Sequence, residues 1–218
     1  MVCYDHTAMI KLTSSRALLV SVSILYSILL GSGIAEGQRC NNLEAEFAQT
    51  LLTFKIPGGA VLRDELCKRT SVLKLPHDSV ESDLNKLTKN SKYKWTSVSG
   101  IVILAPSEEL PELLRTSVHD FAIDANELDG GQVLIDRLLA TPELAGFART
   151  ANVNQGMDFG GITSPPHSRL QSHKLEFRDK SLYEILNEIV GQRRFGLWVY
   201  KEYTFNGEKA VGLKFQIF

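Results

Sequence analysis

The chain has 218 residues, 44% hydrophobic and 22% charged, with 24 Lys and Arg against 25 Asp and Glu. A net charge of -1 is too even for a protein whose main partner is a phosphate backbone, and a chain this apolar and this neutral does not have the composition of a disordered one. The length allows one domain or two small ones.

The first element is an uncharged run from Ala17 to Ala35, preceded by Lys11 and Arg16. A basic start, an apolar core over 17–30 and small residues at Gly33 and Ala35 predict a signal peptide over 1–35, cleaved after Ala35. The run is also long enough to cross a bilayer, so an uncleaved inner-membrane anchor over 17–35 is the alternative. Either way the expected address is the periplasm or the exterior, with membrane contact only if the segment stays. Cys40 is a poor lipoprotein site, because Gln38 and Arg39 stand where small or apolar residues belong. Without residues 1–35 the chain carries 22 basic and 24 acidic residues.

Two cysteines then remain, Cys40 and Cys67. In an oxidising compartment an even pair permits a disulfide, which would contribute about 3 kcal/mol in the chain-entropy model. The other reading makes Cys67 a small buried side chain on a helix and leaves Cys40 in a loose terminus. No CxxC pair is present, so zinc ribbons and thioredoxin-like redox chemistry lack support.

Residues 36–50 read as a linker and first helix, with Leu43, Phe47 and Leu51 at helical spacing and Glu44 three residues after Asn41. Phe54, Lys55 and Ile56 alternate as a short strand, stopped by Pro57, Gly58 and Gly59 before a helix carrying Leu62 and Leu66. Leu73 and Leu75 predict another strand. Asp78 with Glu81 caps a helix striped by Val80, Leu84 and Leu87, and Trp95 and Ile101–Leu104 flank Ser99 and Gly100 as a hairpin. Phe121 and Ile123 start a weaker copy, whose helix carries Leu134, Ile135 and Leu138 and nears its end at Pro142.

Near the C-terminus the pattern returns in register. A shift of 102 residues sets Leu73 on Leu175, Leu75 on Phe177, Ser79 on Ser181, Leu84 on Leu186, Asn85 on Asn187 and Leu87 on Ile189; Trp95 and Trp198 follow with one residue of slippage. Ser181 and Glu184 form a capping box, and Asn206-Gly207 favours a type I′ hairpin turn. The expectation is an α+β fold of duplicated strand-helix units with closing hairpins, in two small modules over 51–105 and 117–218. A Gly, Ser and Pro-rich insertion over 146–173 interrupts the second.

The stretch TFKIPGGAVLRDEL, continued by SVLKLPHDSVESDLNKLTKNSKYKWTSVSGIVIL, resembles the short N-terminal domain of secretins and TonB-dependent transducers, and KLEFRDKSLYEILNEIV resembles the second half of that pattern. The likeness covers 51–105 well, 174–218 moderately and 106–173 loosely, and its motifs are hydrophobic spacings. It implies a periplasmic, non-enzymatic domain that meets partner proteins such as inner-membrane regulators or assembly components. With neither a β-barrel nor a secretin core downstream, the chain more closely resembles free-standing envelope proteins with such domains.

No catalytic signature appears: GxSxG, HExxH, Walker and GxGxxG motifs are all absent. His77, His119, His167 and His173 are scattered; the last two share the insertion, a weak metal-site signal beside the reading as a solvated loop. The basic run Lys86, Lys89, Lys92 and Lys94, interleaved with Tyr93 and Trp95, superficially suits nucleic acid, but helical spacing reads it as a wet face. Trp198, Tyr200 and Tyr203 are the expected partner-binding surface, with Trp198 and Tyr200 opposite Leu197 and Val199 on a strand; cover by the insertion is the competing reading. The leading functional reading is an exported, non-catalytic envelope interaction module acting through sheet edges or that aromatic face, with no cofactor. A small-molecule or glycan binder is the alternative, and a cryptic hydrolase a remote third.

Overall fold

The computed structural model describes residues 40–67, 75–129, 131–150, 174–192, 196–205 and 207–217. The expected signal or anchor segment, Leu73 and most of the 146–173 insertion, with His167 and His173, lie outside the described residues. Among those residues no helix is long and apolar enough to cross a membrane.

The fold is α+β, as the spacing predicts. Helix α1 (Asn41–Phe54) leads into β1 (Gly58–Arg63) and a 3-10 turn (Asp64–Leu66); α2 (Val80–Thr88) precedes the hairpin of β2 (Tyr93–Val98) and β3 (Ile101–Pro106). The short α3 (Glu112–Arg115), β4 (Ser117–Asp124), a 3-10 turn (Ala125–Asp129), α4 (Gly131–Leu139) and α5 (Pro142–Thr150) follow. The chain then runs through β5 (Lys174–Ser181), α6 (Leu182–Gln192), β6 (Gly196–Phe205) and β7 (Glu208–Ile217).

Five strands form one mixed sheet in the order β2-β3-β1-β6-β7, while β4 and β5 make a separate antiparallel ribbon. β1 is parallel to both β3 and β6, pairing Gly58 with Val102 and with Leu197. This corrects the expected division into two modules: strands from 51–105 and from 174–218 are ladder neighbours in a single sheet. The reason lies in β1 itself, whose residues Gly58–Leu62 are all buried. A strand apolar on both faces needs cover on both sides. On one face Phe47, Leu51, Leu84 and Leu87 of α1 and α2 pack on Ala60, Leu62, Leu104 and Val199. On the other, Leu138 of α4, Leu182, Leu186 and Ile189 of α6 and Phe121 and Phe177 of the ribbon pack on Val61, Ile103, Trp198 and Phe215.

Several local expectations also change. Phe54 ends α1 and Lys55 turns left-handed at φ 55°, so the predicted strand at 54–56 moves to Gly58–Arg63 and takes Gly58 and Gly59 inside it. The helix expected to carry Leu62 and Leu66 is thus a strand followed by a 3-10 turn. A Cβ on Gly59 would lie 2.0 Å from the Trp198 ring and one on Gly58 2.6 Å from Val102 O, so these glycines permit close approach inside the sheet instead of breaking it. Leu75, described without strand structure, does not extend the predicted strand. Pro142 opens α5, a first-turn position where its missing N–H costs nothing, and that helix takes in 146–150 of the expected insertion.

The capping and turn readings fare better. Ser181 N donates to Glu184 Oε2 at 2.8 Å and Glu184 N to Ser181 Oγ at 3.3 Å, a reciprocal box. In the first copy the cap is Ser79, not Asp78: its Oγ accepts from Ser82 N at 3.1 Å. Ser99 and Gly100, at φ 52° and 81°, make the tight turn between β2 and β3.

Candidate functional site

The aromatic surface expected on β6 is a core face. Trp198 and Tyr200 are 0% and 1% exposed, because α6 and the ribbon cover the side opposite Leu197 and Val199. Tyr183 meets Trp198 edge to face at 5.7 Å, and Asn187 Oδ1 accepts the indole N–H at 2.9 Å. The alternation of β6 correctly separates the two sets of side chains; what it does not reveal is that both faces of the strand are covered. Tyr203, nearer the strand end, is half-buried.

Beyond Tyr200 the same strands carry charge. Arg63, the last residue of β1, sits opposite Glu202 and pairs with it (Nε to Oε2, 2.9 Å) as well as with Glu108. Tyr200 donates its hydroxyl to Glu202 Oε1 at 2.9 Å. Lys201 Nζ lies 3.7 Å from Asp64 Oδ1, and both side chains are buried. Buried charge is tolerated only where it is paired. Burial, then the Glu202 carboxylate, pushes the Tyr200 phenol far above its ordinary value.

Tyr93 ties this cluster to the cysteines. Cys40 and Cys67 form a disulfide with a Cα–Cα distance of 5.3 Å, joining the start of α1 to the turn after β1. Of the two readings open from the sequence, the bridge is the one the structure adopts. The Tyr93 hydroxyl donates to Arg63 O at 3.1 Å, accepts from Arg63 N at 2.9 Å and rests 3.4 Å from Cys67 Sγ. Burial raises its pKa to about 12, against the opposing bond from the Arg63 backbone.

Arg63, Asp64, Tyr200 and Glu202 border a cleft of about 530 Å³ at the carboxyl ends of β1 and β6, which Glu65, Glu112, Phe147, Tyr203 and Lys209 also line. Clefts outside the carboxyl ends of parallel strands are common ligand sites in α/β sheets. Its aromatic lining draws on Tyr200 and Tyr203 of the expected surface and on Phe147 from the start of the expected insertion. The charged residues were missed from sequence. Lys201 had a signal: it continues the inward register of Leu197 and Val199.

The second exposed feature is the edge strand β2. Ser107 N bonds to Lys92 O at 3.2 Å, and the register pairs Lys94 with Ala105 and Thr96 with Ile103. Antiparallel pairs alternate between bonded and non-bonded, so Tyr93, Trp95 and Ser97 direct their backbone groups away from β3. Ser91 Oγ caps Tyr93 N at 3.1 Å. No described residue pairs with the N–H and C=O of Trp95 or Ser97. Lys94, Thr96, Ser97 and Val98 are exposed, and Val98 at 58% is the most exposed large apolar side chain among the described residues.

The two histidines among the described residues, His77 and His119, stand apart from both places. His77 Nδ1 lies 2.7 Å from the buried Asp83, and His119 Nδ1 lies 2.7 Å from Asp179 on the exposed ribbon. Neither ring is bonded to a serine, threonine or cysteine, and no group of three or more His, Cys, Asp or Glu suited to a metal ion occurs among the described residues.

Compared with known proteins, the chain matches no protein-family model, no curated protein and no solved structure.

Proposed function

We propose that the protein is an exported, non-catalytic interaction module of the bacterial envelope, akin to the short N-terminal domain of secretins and TonB-dependent transducers, and that it meets partner proteins through a sheet edge. The observation that carries this reading is β2, an edge strand whose outward backbone groups at Trp95 and Ser97 are unpaired among the described residues. Strand addition needs no more than such an edge. The Cys40–Cys67 bridge supports the periplasmic address, since disulfides persist in oxidising compartments. A binding reading through Trp198 is withdrawn, because a side chain 0% exposed touches no partner.

The test is capture from an envelope fraction with the disulfide-intact chain as bait. A stoichiometric protein partner, lost when the β2 edge is blocked by Ser97→Pro, is the expected result. Proline is tolerated on an edge where its missing N–H faces solvent, so the variant should keep the fold. A bait that retains the same partner after the block overturns the edge reading.

A specific observation favours one second reading, a small-molecule or glycan binder. The cleft at the ends of β1 and β6 combines Tyr203 and Phe147 with carboxylates and Lys209, a mix of apolar faces and polar groups that suits a sugar-like ligand. A chain that captures no protein but gains thermal stability with a defined glycan would establish it in place of the first.

A further inference from the structure

The flank of β2 carries charge of one sign. From Leu84 to Ser107 the sequence holds no acidic residue, while Lys89, Lys92 and Lys94 are exposed and have no acidic partner among the described residues. They surround the same strand whose backbone groups at Trp95 and Ser97 point outward, with Val98 at its tip. From this juxtaposition, and resting on the interaction-module reading above, we propose that β2 docks an acidic, extended segment of a partner protein, which adds to the sheet as a further strand.

The charge selects among occupants. A second copy of the chain pairing through β2 would bring Lys92 and Lys94 close to the same lysines of the other copy, and like charges on neighbouring strands are destabilising. Lysines on an edge are the usual guard against self-pairing, and the same guard favours an incoming strand rich in Asp and Glu. An anionic bilayer would satisfy the lysines and take Val98, but it has no use for a row of backbone donors and acceptors. Only an extended chain uses both. The Trp95 indole, already bonded to Asn85 Oδ1 at 3.0 Å and leaning on the α1–α2 core, stays in place when a strand arrives.

The probe is a short end-blocked peptide of alternating Glu and Val, titrated against the disulfide-intact protein, with three comparators: a Lys-Val peptide, the Glu-Val peptide N-methylated at alternate residues, and phosphatidylglycerol vesicles. Binding of the Glu-Val peptide alone is expected, with slowed amide exchange at Trp95 and Ser97. The double variant Lys92→Glu, Lys94→Glu should weaken it about tenfold, the size of two reversed cross-strand charge pairs. Amide exchange needs no variant, so a poorly folding mutant does not obscure the result. Equal binding of both peptides, indifference to N-methylation, or binding to vesicles alone would overturn the proposal. If the acidic peptide fails while envelope capture still yields a partner lost on Ser97→Pro, the acidic-strand inference falls and the interaction module stands.

Discussion

Asn187 holds Trp198 through a 2.9 Å bond from the indole N–H to its Oδ1, and Asn85 holds Trp95 in the same way at 3.0 Å. Each asparagine sits on the helix that precedes its strand, so helix and strand are pinned by one polar contact between otherwise apolar surfaces. A shift of 102 residues superposes the two asparagines, and the tryptophans follow with one residue of slippage. They differ in surroundings: Trp198 is fully buried, whereas Trp95 is partly exposed.

That difference predicts unequal costs. Asn187→Ala strands a buried indole donor and should cost about 1–3 kcal/mol, while Asn85→Ala, where water can replace the acceptor, should cost about 0.5–1 kcal/mol. Urea unfolding of the two variants measures both; equal losses would contradict the burial argument.

Gly59 and Gly146 offer a second contrast. A Cβ at 59 would enter the Trp198 ring from 2.0 Å, whereas one at 146 meets nothing within 4 Å. Gly59→Ala should destabilise by about 1–3 kcal/mol or prevent folding, and Gly146→Ala, inside α5, should be neutral or stabilising by up to about 1 kcal/mol. Thermal melts of the pair decide it.

Reduction of Cys40–Cys67, which spans 27 residues, should lower stability by about 3–4 kcal/mol in the chain-entropy model. Denaturant midpoints with and without reductant give the value. A change below about 1 kcal/mol would show that α1 is held by packing alone.

The capping box makes a pH prediction. Bonds from Ser181 hold the Glu184 carboxyl below its ordinary value. A depressed carboxyl contributes stability that is present above its unfolded pKa and is lost as pH falls through the folded one. Ser181→Ala should cost about 1 kcal/mol at neutral pH, and the gap between variant and wild type should close with acidification. Unfolding midpoints at a series of pH values test this.

Alkaline behaviour has the opposite sign. Tyr93, with its pKa raised to about 12, keeps its proton in the folded state longer than in the unfolded chain, so stability should decline as pH rises above the ordinary phenol value of 10.0. Tyr93→Phe leaves Arg63 N and O without their shared partner and should cost about 1–3 kcal/mol at any pH below that decline. Ultraviolet titration of phenolate with parallel circular dichroism separates the two effects.

Much of the architecture is legible in the sequence, and the legible parts are local. The stripe Leu43, Phe47 and Leu51, the Ser181–Glu184 box and the Ser99-Gly100 turn all follow from spacing and side-chain chemistry within a few residues. Even the Asn-Trp pairs are foreshadowed by the repeat. What spacing hides is how strands from distant parts of the chain share a sheet. Gly58 and Gly59 look like a break until Trp198 lies beside them, and Trp198 looks like a surface residue until the α6 and ribbon layer covers it. The charged cluster is hidden for the same reason, since Arg63 and Glu202 become neighbours only through the β1–β6 register.

The central place of β1 carries a further cost in time. Its partners lie well along the chain from it, β3 beginning at Ile101 and β6 at Gly196. Pairings so distant in sequence fold slowly, because the loop must close before any contact repays it. A fragment ending before β6 would leave one side of β1 bare and both apolar layers unfinished, an aggregation-prone state. The molecule therefore completes neither core piecemeal: it stays open until the β6–β7 hairpin is available, and removal of that hairpin should abolish the whole fold instead of trimming one half.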